Sequence, residues 1–174
     1  MKKSKIYLIV FISLIIFLVS TTIFLTISHK SPTYCSCPFC DRKVLDNQKY
    51  FEDSNVIGLY TNKPLIKGHC LIIPKRHVER FEDLNDLEQV EMLKLVKKTH
   101  LAAKKSLNVE NYFLLQKNGR SAGQSVPHVH IHYIPVGKNS SAIKILYKFL
   151  VYPFNKKVDQ SEMDKITSLI SENI

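Results

Sequence analysis

The sequence has little glycine or proline, with 5 glycines and 7 prolines among 174 residues. Such low counts exclude a collagen-like repeat and argue against a chain that is disordered throughout. Cysteine is also scarce. The four cysteines, at positions 35, 37, 40 and 70, are too few and too clustered for a disulfide scaffold. Because 45% of the residues are apolar, the chain can build the core of one ordinary domain.

Acidic residues are outnumbered, since 25 lysines and arginines accompany 15 aspartates and glutamates, for a formal net charge of +10. This moderate excess suits an anionic substrate or an anionic membrane surface. It is too weak by itself to indicate a nucleic acid. We therefore expect no nucleic-acid partner.

Residues 6–27 contain no charged side chain. As a helix they would span roughly 33 Å, enough to cross a bilayer. A cleaved signal peptide is the alternative, but its apolar core is about 7–15 residues long and precedes a small-residue cleavage site, which is missing here. The sequence therefore predicts a single-pass membrane protein with an N-terminal anchor over residues 1–30 and a linker over 31–36.

The orientation of that anchor follows from its flanking charges. Lys2, Lys3 and Lys5 precede the apolar run, and Lys30 alone follows it. Because positive charges favour the cytoplasmic side, we expect a cytoplasmic N-terminus. The domain that follows would then lie on the far side, but the bias amounts to only two charges and leaves its side open.

Hydrophobic patterning after the linker alternates between strands and helices. The predicted strands are residues 49–52, 55–60, 69–74, 112–117 and 127–135. The predicted helices are residues 86–104 and 159–173, and Asn85 with Glu88 forms a capping box before the first. On that helix, one face carries Leu87, Val90, Leu93, Val96 and His100. Antiparallel hairpins followed by separate helices favour an α+β fold.

Three histidines alternate with apolar residues near the middle of the chain: His128, His130 and His132. On a strand this spacing places the three imidazoles on one face. Their outer Cα atoms would lie about 13 Å apart, so three metal–nitrogen bonds of about 2 Å could hardly converge on one ion. The histidines must therefore have different roles, and a neutral imidazole is both a nucleophile and a general acid or base.

A short loop, Gly123-Gln124-Ser125, precedes the histidine row. Glycine loops can present backbone amides to an anion, and Ser125 and Gln124 add a hydroxyl and an amide. An anion site beside an imidazole nucleophile indicates phosphoryl or nucleotidyl transfer through a phosphohistidine-type intermediate.

The segment GQSVPHVHIHYIP resembles the signature of the histidine triad (HIT) family, and KPLIKGHCLIIPKRHVERFEDL resembles that family's other conserved block. The resemblance implies an α+β fold with an antiparallel five-stranded sheet, two copies of which join in a homodimer. It also implies hydrolases or transferases acting on nucleoside phosphoramidates, dinucleoside polyphosphates or related nucleotide conjugates. We therefore expect a HIT domain over residues 37–137, and a basic, apolar extension over 138–174 that ends in a helix.

The same resemblance assigns roles to individual residues. His130 would attack the α-phosphorus, His132 would be the last triad member, and His69 would be the fourth active-site histidine. Gln124 and Ser125, with Gly123, would handle the leaving group and phosphate.

Two positions depart from the family pattern. Lys117 stands where many members have Asn or Gln, with Asn118 next to it, and Thr61 stands at the ribose position, with Asn62 beside it. Either the loops shift by one residue, so that Asn118 and Asn62 contact the substrate, or nucleotide recognition is altered. These departures support the alternative of a non-catalytic nucleotide-binding or scaffold domain.

Cys37 and Cys40 have the spacing of a zinc knuckle, although a redox pair has the same spacing. His77 and His128 are candidate imidazole ligands. The set resembles the zinc-bearing branch of the HIT family, which implies a structural Zn²⁺ held by these four residues.

Residues 138–157 combine lysines with large apolar side chains. We expect this segment to be buried in the core or in a dimer interface, and the alternative is that it lies on the bilayer surface.

Overall fold

The computed structural model describes residues 11–13, 15 and 37–174. The chain divides into two units, Met1–Cys35 and Ser36–Ile174, and the helices and strands given below belong to the second. In the first unit, residues 11–13 and 15 are helical. The rest of the predicted anchor and the predicted linker lie outside the described residues.

The prediction of a membrane location is wrong. Within the part of the chain that the structure describes, no helix combines the length and the apolar character needed to cross a membrane. The longest helix among the described residues, Asp86–Leu107, has 22 residues and would be long enough, but it carries Glu88, Glu91 and Lys94, whose charges are costly in lipid. The expectations of a single-pass topology and of a membrane partner are not supported for the same reason.

The second unit is an α+β structure, as expected. Its helices are α1 (Arg42–Gln48), α2 (Asp86–Leu107), α3 (Ala142–Val151) and α4 (Gln160–Ser171). Its strands are β1 (Lys49–Glu52), β2 (Val56–Tyr60), β3 (Cys70–Pro74), β4 (Val109–Gln116) and β5 (Ile131–Gly137). Short 3₁₀ turns lie at Phe81–Asp83, Arg120–Ala122 and Tyr152–Phe154.

The five strands form one antiparallel sheet in the order β1-β2-β3-β5-β4. The predicted hairpin between β1 and β2 is confirmed, and Asp53 holds its turn. The Asp53 Oδ1 atom accepts hydrogen bonds from the amides of Asn55 and Val56, at 2.9 and 2.8 Å. The strand β4 is an edge of the sheet, and its outer side therefore has no strand neighbour in this unit.

Helix α2 begins with the predicted capping box. The Asn85 side chain accepts from the Glu88 amide, and the Glu88 carboxylate accepts from the Asn85 amide. Asn108 ends the helix in the left-handed region, with φ 54°, a conformation that asparagine tolerates better than most residues.

The face of α2 that contacts the sheet is not the one that carries Leu87, Val90 and Leu93. Those three side chains are exposed, and the helix buries Met92, Leu95, Val96, Thr99, Ala102 and Ala103 instead. Both faces are apolar enough to pack, so hydrophobic spacing alone does not distinguish them. The molecule thus presents an apolar helix face to the outside.

Helix α4 completes the core on the same side of the sheet. Asp159 caps it by accepting from the Glu162 amide at 2.8 Å, and its Met163, Ile166 and Ile170 are buried among the residues of α2 and the sheet. The C-terminal part of the segment 138–174 therefore shares one core with the sheet that precedes it.

Helix α3 differs from the expectation of burial in the core. Ile143, Leu146, Tyr147 and Leu150 are all more than half exposed in this chain. On the other face of the sheet from α2, a smaller apolar cluster forms around Phe39, Leu59 and Leu71. The rings of His128 and His130 contact Phe39 of this second cluster.

Candidate active site and metal centre

The alternating histidine row has the predicted orientation. Val129, Ile131 and Tyr133 are buried in the core with α2 and α4. His132 lies directly opposite Leu71 on β3, whose side chain belongs to the second cluster. The rings of His128 and His130 both contact Phe39 edge-on, with centroids 5.8 and 5.4 Å away. The three imidazoles therefore share one face, where they form two adjacent sites.

His130 has one ring nitrogen held by the backbone. Its Nδ1 lies 2.7 Å from the carbonyl oxygen of His128. A carbonyl can only accept, so Nδ1 carries the proton, and Nε2 keeps its lone pair. The side chain is buried, and this burial lowers its pKa, with the nearby charge of Lys117 acting in the same direction. A neutral ring with a free Nε2 is the form that a nucleophilic histidine requires.

His69 and His132 form a second hydrogen-bonded pair. The Leu65 amide donates to His69 Nδ1 at 3.1 Å, so in the neutral ring the proton lies on Nε2. That nitrogen is 2.9 Å from His132 Nδ1, which must therefore accept, and the His132 proton is placed on Nε2. Burial lowers the pKa of His69 to about 4 and that of His132 to about 2, assisted by the neighbouring histidines. Both rings are thus neutral near pH 7.

Gly68 sets the position of His69. Its φ of +86° lies in the left-handed region, and an added Cβ would meet Leu107 Cδ1 at 2.6 Å. Glycine is therefore required for the turn into β3. The turn closes through the His69 amide, which donates to the Ile66 carbonyl at 3.0 Å.

The glycine loop is held together by its own hydrogen bonds. The amides of Gly123 and Gln124 donate to the carbonyls of Arg120 and Gly119. The Gln124 side chain accepts from the Gly119 amide at 2.6 Å and donates to the Glu79 carbonyl at 2.9 Å. Two of the loop amides that we expected to face an anion are thus already occupied. Among the described residues, none accepts from the amide or hydroxyl of Ser125, which remain as donors.

A cavity of about 130 Å³ opens beside these groups. It is lined by Leu65, His69, Leu115, Lys117, Gly123, Ser125, His130, His132, Ile134, Phe149 and Tyr152. Its polar lining consists of the histidines, Ser125 and Lys117, and the rest of its lining is largely apolar and aromatic. A cavity with convergent polar groups and buried, neutral histidines is a typical substrate site.

The aromatic wall comes from the C-terminal segment. Lys63 Nζ donates to the Pro153 carbonyl at 2.9 Å and lies 5.5 Å from the centroid of the Tyr152 ring. The Asn155 side chain donates to the Pro64 carbonyl at 2.9 Å. These contacts attach the end of α3 to the loop that precedes His69. Phe149 and Tyr152 were not among the predicted site residues, and the run of aromatic residues in 147–154 was the available signal.

Cys37, Cys40, His77 and His128 converge at the start of the histidine row. Their ligand atoms all lie within 4.8 Å of one another. Cys40 Sγ is 3.4 Å from His77 Nδ1 and 3.7 Å from His128 Nδ1, and Cys37 Sγ is 3.5 Å from His128 Nδ1. Ligands around tetrahedral zinc are separated by roughly 3.3–3.8 Å. These three separations match that range, and the remaining pairs lie within 4.8 Å, so the four residues could hold a zinc ion.

His128 is also oriented for that role. Its Nε2 lies 2.9 Å from the Pro74 carbonyl, which fixes the proton on Nε2 and leaves Nδ1 as the ligand atom. The loop that carries His77 is anchored to α2, since Arg76 donates through Nε and Nη2 to the Glu88 carboxylate at 2.9 and 2.7 Å.

Comparison with known proteins agrees with this geometry. The sequence model of the HIT domain matches residues 42–139, more than half of the chain. The chain belongs to the HIT family. An uncharacterised HIT-like protein of Methanocaldococcus jannaschii is 41% identical over 103 residues, which cover 57% of this chain and 78% of that protein. The adenosine 5'-monophosphoramidase of Schizosaccharomyces pombe is 39% identical over 104 residues, covering 58% and 74%.

The HIT fold is also found by structural comparison. The crystal structure of a zinc-bound histidine triad family protein from Mycobacterium smegmatis superposes with a TM-score of 0.62 at 24% identity. The match covers 79% of this chain and 94% of that one. The α+β fold with a five-stranded antiparallel sheet is therefore that of HIT proteins.

Within this HIT domain, the predicted site residues separate into three groups. His69, His130, His132, Gly123 and Ser125 line the cavity. Gln124 lies beside it and holds the loop. Asn118, Thr61 and Asn62 do not line it.

The last three residues have other contacts. The Asn118 side chain accepts from the Phe81 amide and donates to Glu82. Thr61 Oγ1 accepts from the Lys63 amide, and the Asn62 carbonyl accepts from the Val158 amide. A one-residue shift that would bring Asn118 into the cavity is therefore not seen. Lys117 occupies the cavity wall instead.

Proposed function

We propose that this HIT protein is a nucleotide hydrolase or nucleotidyltransferase that cleaves at the α-phosphorus of nucleotide conjugates, with His130 as the nucleophile. One observation carries the proposal: the His130 Nδ1 proton is committed to the His128 carbonyl, while the ring is buried in the wall of a cavity that also contains His132 and Ser125. Nε2 is thereby available to attack.

The reaction proceeds in two displacements. The Nε2 lone pair of His130 forms a bond to the α-phosphorus, and the bond from phosphorus to the leaving nitrogen or oxygen breaks, with its electron pair departing on the leaving group; a leaving nitrogen also takes up a proton from the solvent. Water then forms a new P–O bond and gives up a proton to the solvent, the N–P pair returns to His130, and the nucleoside monophosphate is released. The His132 Nε2 proton and the Ser125 amide and hydroxyl donate to the phosphoryl oxygens, whose negative charge grows during each displacement.

The nucleoside lies against the apolar lining of the cavity. Leu65, Leu115, Ile134, Phe149 and Tyr152 provide this lining, and aromatic side chains provide a stacking surface for any nucleobase. Thr61 and Asn62 do not reach it, so ribose recognition differs from the family pattern.

Turnover of adenosine 5'-phosphoramidate by the full chain tests this function, with His130→Ala as the variant. Loss of a covalent nucleophile should lower the rate by about 10⁴ or more. His130→Gly should regain activity only when imidazole is added. Near-normal turnover by His130→Ala contradicts the mechanism, and wild-type binding of adenosine monophosphate without any turnover supports the alternative of a non-catalytic nucleotide-binding domain.

We also propose that Cys37, Cys40, His77 and His128 hold one structural zinc ion. The ligand spacing and the hydrogen bond from His128 to the Pro74 carbonyl support it. A bound zinc would link the segment before α1 to the start of the histidine row, and this link would stabilise the fold rather than contribute to the reaction.

A homodimer is the third part of the proposal. Tyr112 and Leu114 on the edge strand β4 are exposed, as are Val90, Leu93 and Leu101 on α2. The ring centroids of Tyr112 and His100 are 4.5 Å apart, so the strand and the helix form one continuous surface. We call it the α2–β4 face. An apolar edge strand that remains unpaired is a site for association, and a second copy of this chain would cover it.

A further inference from the structure

Lys117 is a residue of the cavity wall to which the proposed function gives no role. It lies in the wall with Ser125, His130 and His132. Its side chain runs along the glycine loop, where Cδ and Nζ are each 3.6 Å from the position that a Cβ on Gly123 would take. The ammonium group is therefore beside Gly123, in a cavity wall that also contains Ser125.

The charge of Lys117 is not neutralised by any residue in the described part of the chain. Among the residues that the structure describes, no carboxylate forms an ion pair with it. The neighbouring histidines are neutral near pH 7 because burial lowers their pKa values. Lys117 is thus the one charged group in the described cavity wall, and an anionic group of a bound substrate could pair with it.

We propose that Lys117 selects substrates whose leaving group carries phosphate, such as a nucleoside or sugar linked to the nucleotide through a polyphosphate bridge. This inference rests on the proposed function. Neutral donors are already available to the α-phosphate, namely the amide and hydroxyl of Ser125 and the Nε2 proton of His132. The flexible lysine stem can carry its positive charge beyond them, to the next phosphate.

A nearby cation stabilises a phosphate leaving group more than an amine leaving group, because the two leave in different protonation states. When His130 Nε2 bonds to the α-phosphorus, a phosphate leaving group takes the electron pair of the broken P–O bond and departs as an anion, without needing a proton. A nearby ammonium group stabilises that developing charge. An amine leaving group departs only after it gains a proton, and a positive charge beside it gives no comparable stabilisation. The asparagine or glutamine that many HIT proteins have in place of Lys117 carries no positive charge and could not provide this stabilisation.

The test compares two substrates that share one nucleoside and one α-phosphate. The full-length chain, Lys117→Asn and Lys117→Arg are assayed for kcat/KM with diadenosine triphosphate and with adenosine 5'-phosphoramidate. We expect Lys117→Asn to lower the ratio of the two values, triphosphate over phosphoramidate, by roughly 10- to 100-fold, the range for a hydrogen bond to a charged group. Lys117→Arg should retain most of the ratio because it keeps the charge.

A matched control is Lys105→Asn, which removes the same charge from an exposed position near the end of α2 and should leave the ratio unchanged. A Lys117→Asn ratio within about twofold of the wild type overturns the inference while leaving the proposed function intact. Hydrolysis of neither substrate by the wild-type chain overturns both. An equal fall in the ratio for Lys105→Asn also overturns the inference, because it would show that the effect arises from net charge.

Discussion

His69 and His132 are joined by a 2.9 Å hydrogen bond whose direction is set by a third group. Because the Leu65 amide occupies His69 Nδ1, the proton on His69 Nε2 points at His132, and the His132 proton is placed on Nε2. The His132 tautomer that carries its proton on Nε2 is thus set by a backbone amide through a second histidine.

His69→Ala should weaken catalysis by removing this control of the His132 tautomer. We expect kcat to fall roughly tenfold or more, the cost of about one hydrogen bond in a buried site, with a smaller change in KM. The double variant His69→Ala/His132→Ala should be no slower than His132→Ala alone, because the two residues act as a unit. Additive losses in this double-mutant cycle contradict the linkage.

Acid should destabilise the fold through the same pair. Burial lowers the pKa of His69 to about 4 and that of His132 to about 2, whereas an unfolded histidine has a pKa of about 6.5. Below about pH 6.5 the unfolded chain binds more protons than the folded one, so stability is present above that pH and is lost as the pH falls. Each such histidine contributes a slope of up to about 1.4 kcal/mol per pH unit.

Urea unfolding at about pH 7, 6 and 5 measures this slope. The same measurement on His69→Asn distinguishes the protonation of His69 from acid release of a metal. That variant keeps Cys37, Cys40, His77 and His128. We expect the variant to show a shallower dependence on pH. Identical slopes in the two proteins would mean that His69 takes no part in the effect.

Metal analysis of protein purified without chelator should find one zinc ion per chain. Cys37→Ser and Cys40→Ser should lose the metal and melt at a lower temperature, because zinc binding is linked to folding. Cys35→Ser, two residues away from Cys37, is the matched control and should retain both zinc and stability. A zinc content near zero, with Cys37 and Cys40 joined in a disulfide, would refute the site.

The α2–β4 face should hold two copies of the chain together. Leu93→Lys and Leu114→Lys place a charge in that face, where the wild-type side chains are 58% and 45% exposed in the single chain, and we expect sedimentation to show monomers. Ile143→Lys, on the exposed surface of α3, serves as the control and should remain dimeric. Dissociation by Ile143→Lys alone would place the interface at α3 instead.

The aromatic wall should affect substrate binding more than chemistry. Phe149→Ala should raise KM roughly fivefold or more, since stacking of a base on an aromatic ring contributes about 1–3 kcal/mol, with little change in kcat. Phe154→Ala is a suitable control, because Phe154 is 85% exposed and does not line the cavity. Equal effects of the two substitutions would argue against a nucleoside at Phe149.

Local sequence patterns were sufficient to predict several features of this protein. The period-two spacing of His128, His130 and His132 determined that all three lie on one face, because successive side chains on a strand alternate. The capping box of Asn85 and Glu88 determined where α2 begins, since both of its hydrogen bonds join residues three positions apart. The spacing of Cys37 and Cys40 determined that two thiols lie side by side.

Only the tertiary structure decided which of several suitable residues meet. Helix α2 has two apolar faces, and competition for the sheet, in which α4 takes part, decides that Leu95 is buried and Leu93 exposed. Lys117 and Phe149 are 32 positions apart in the chain and yet line the same cavity. Contacts of this kind depend on how the elements pack against one another, which no pattern within a single segment contains.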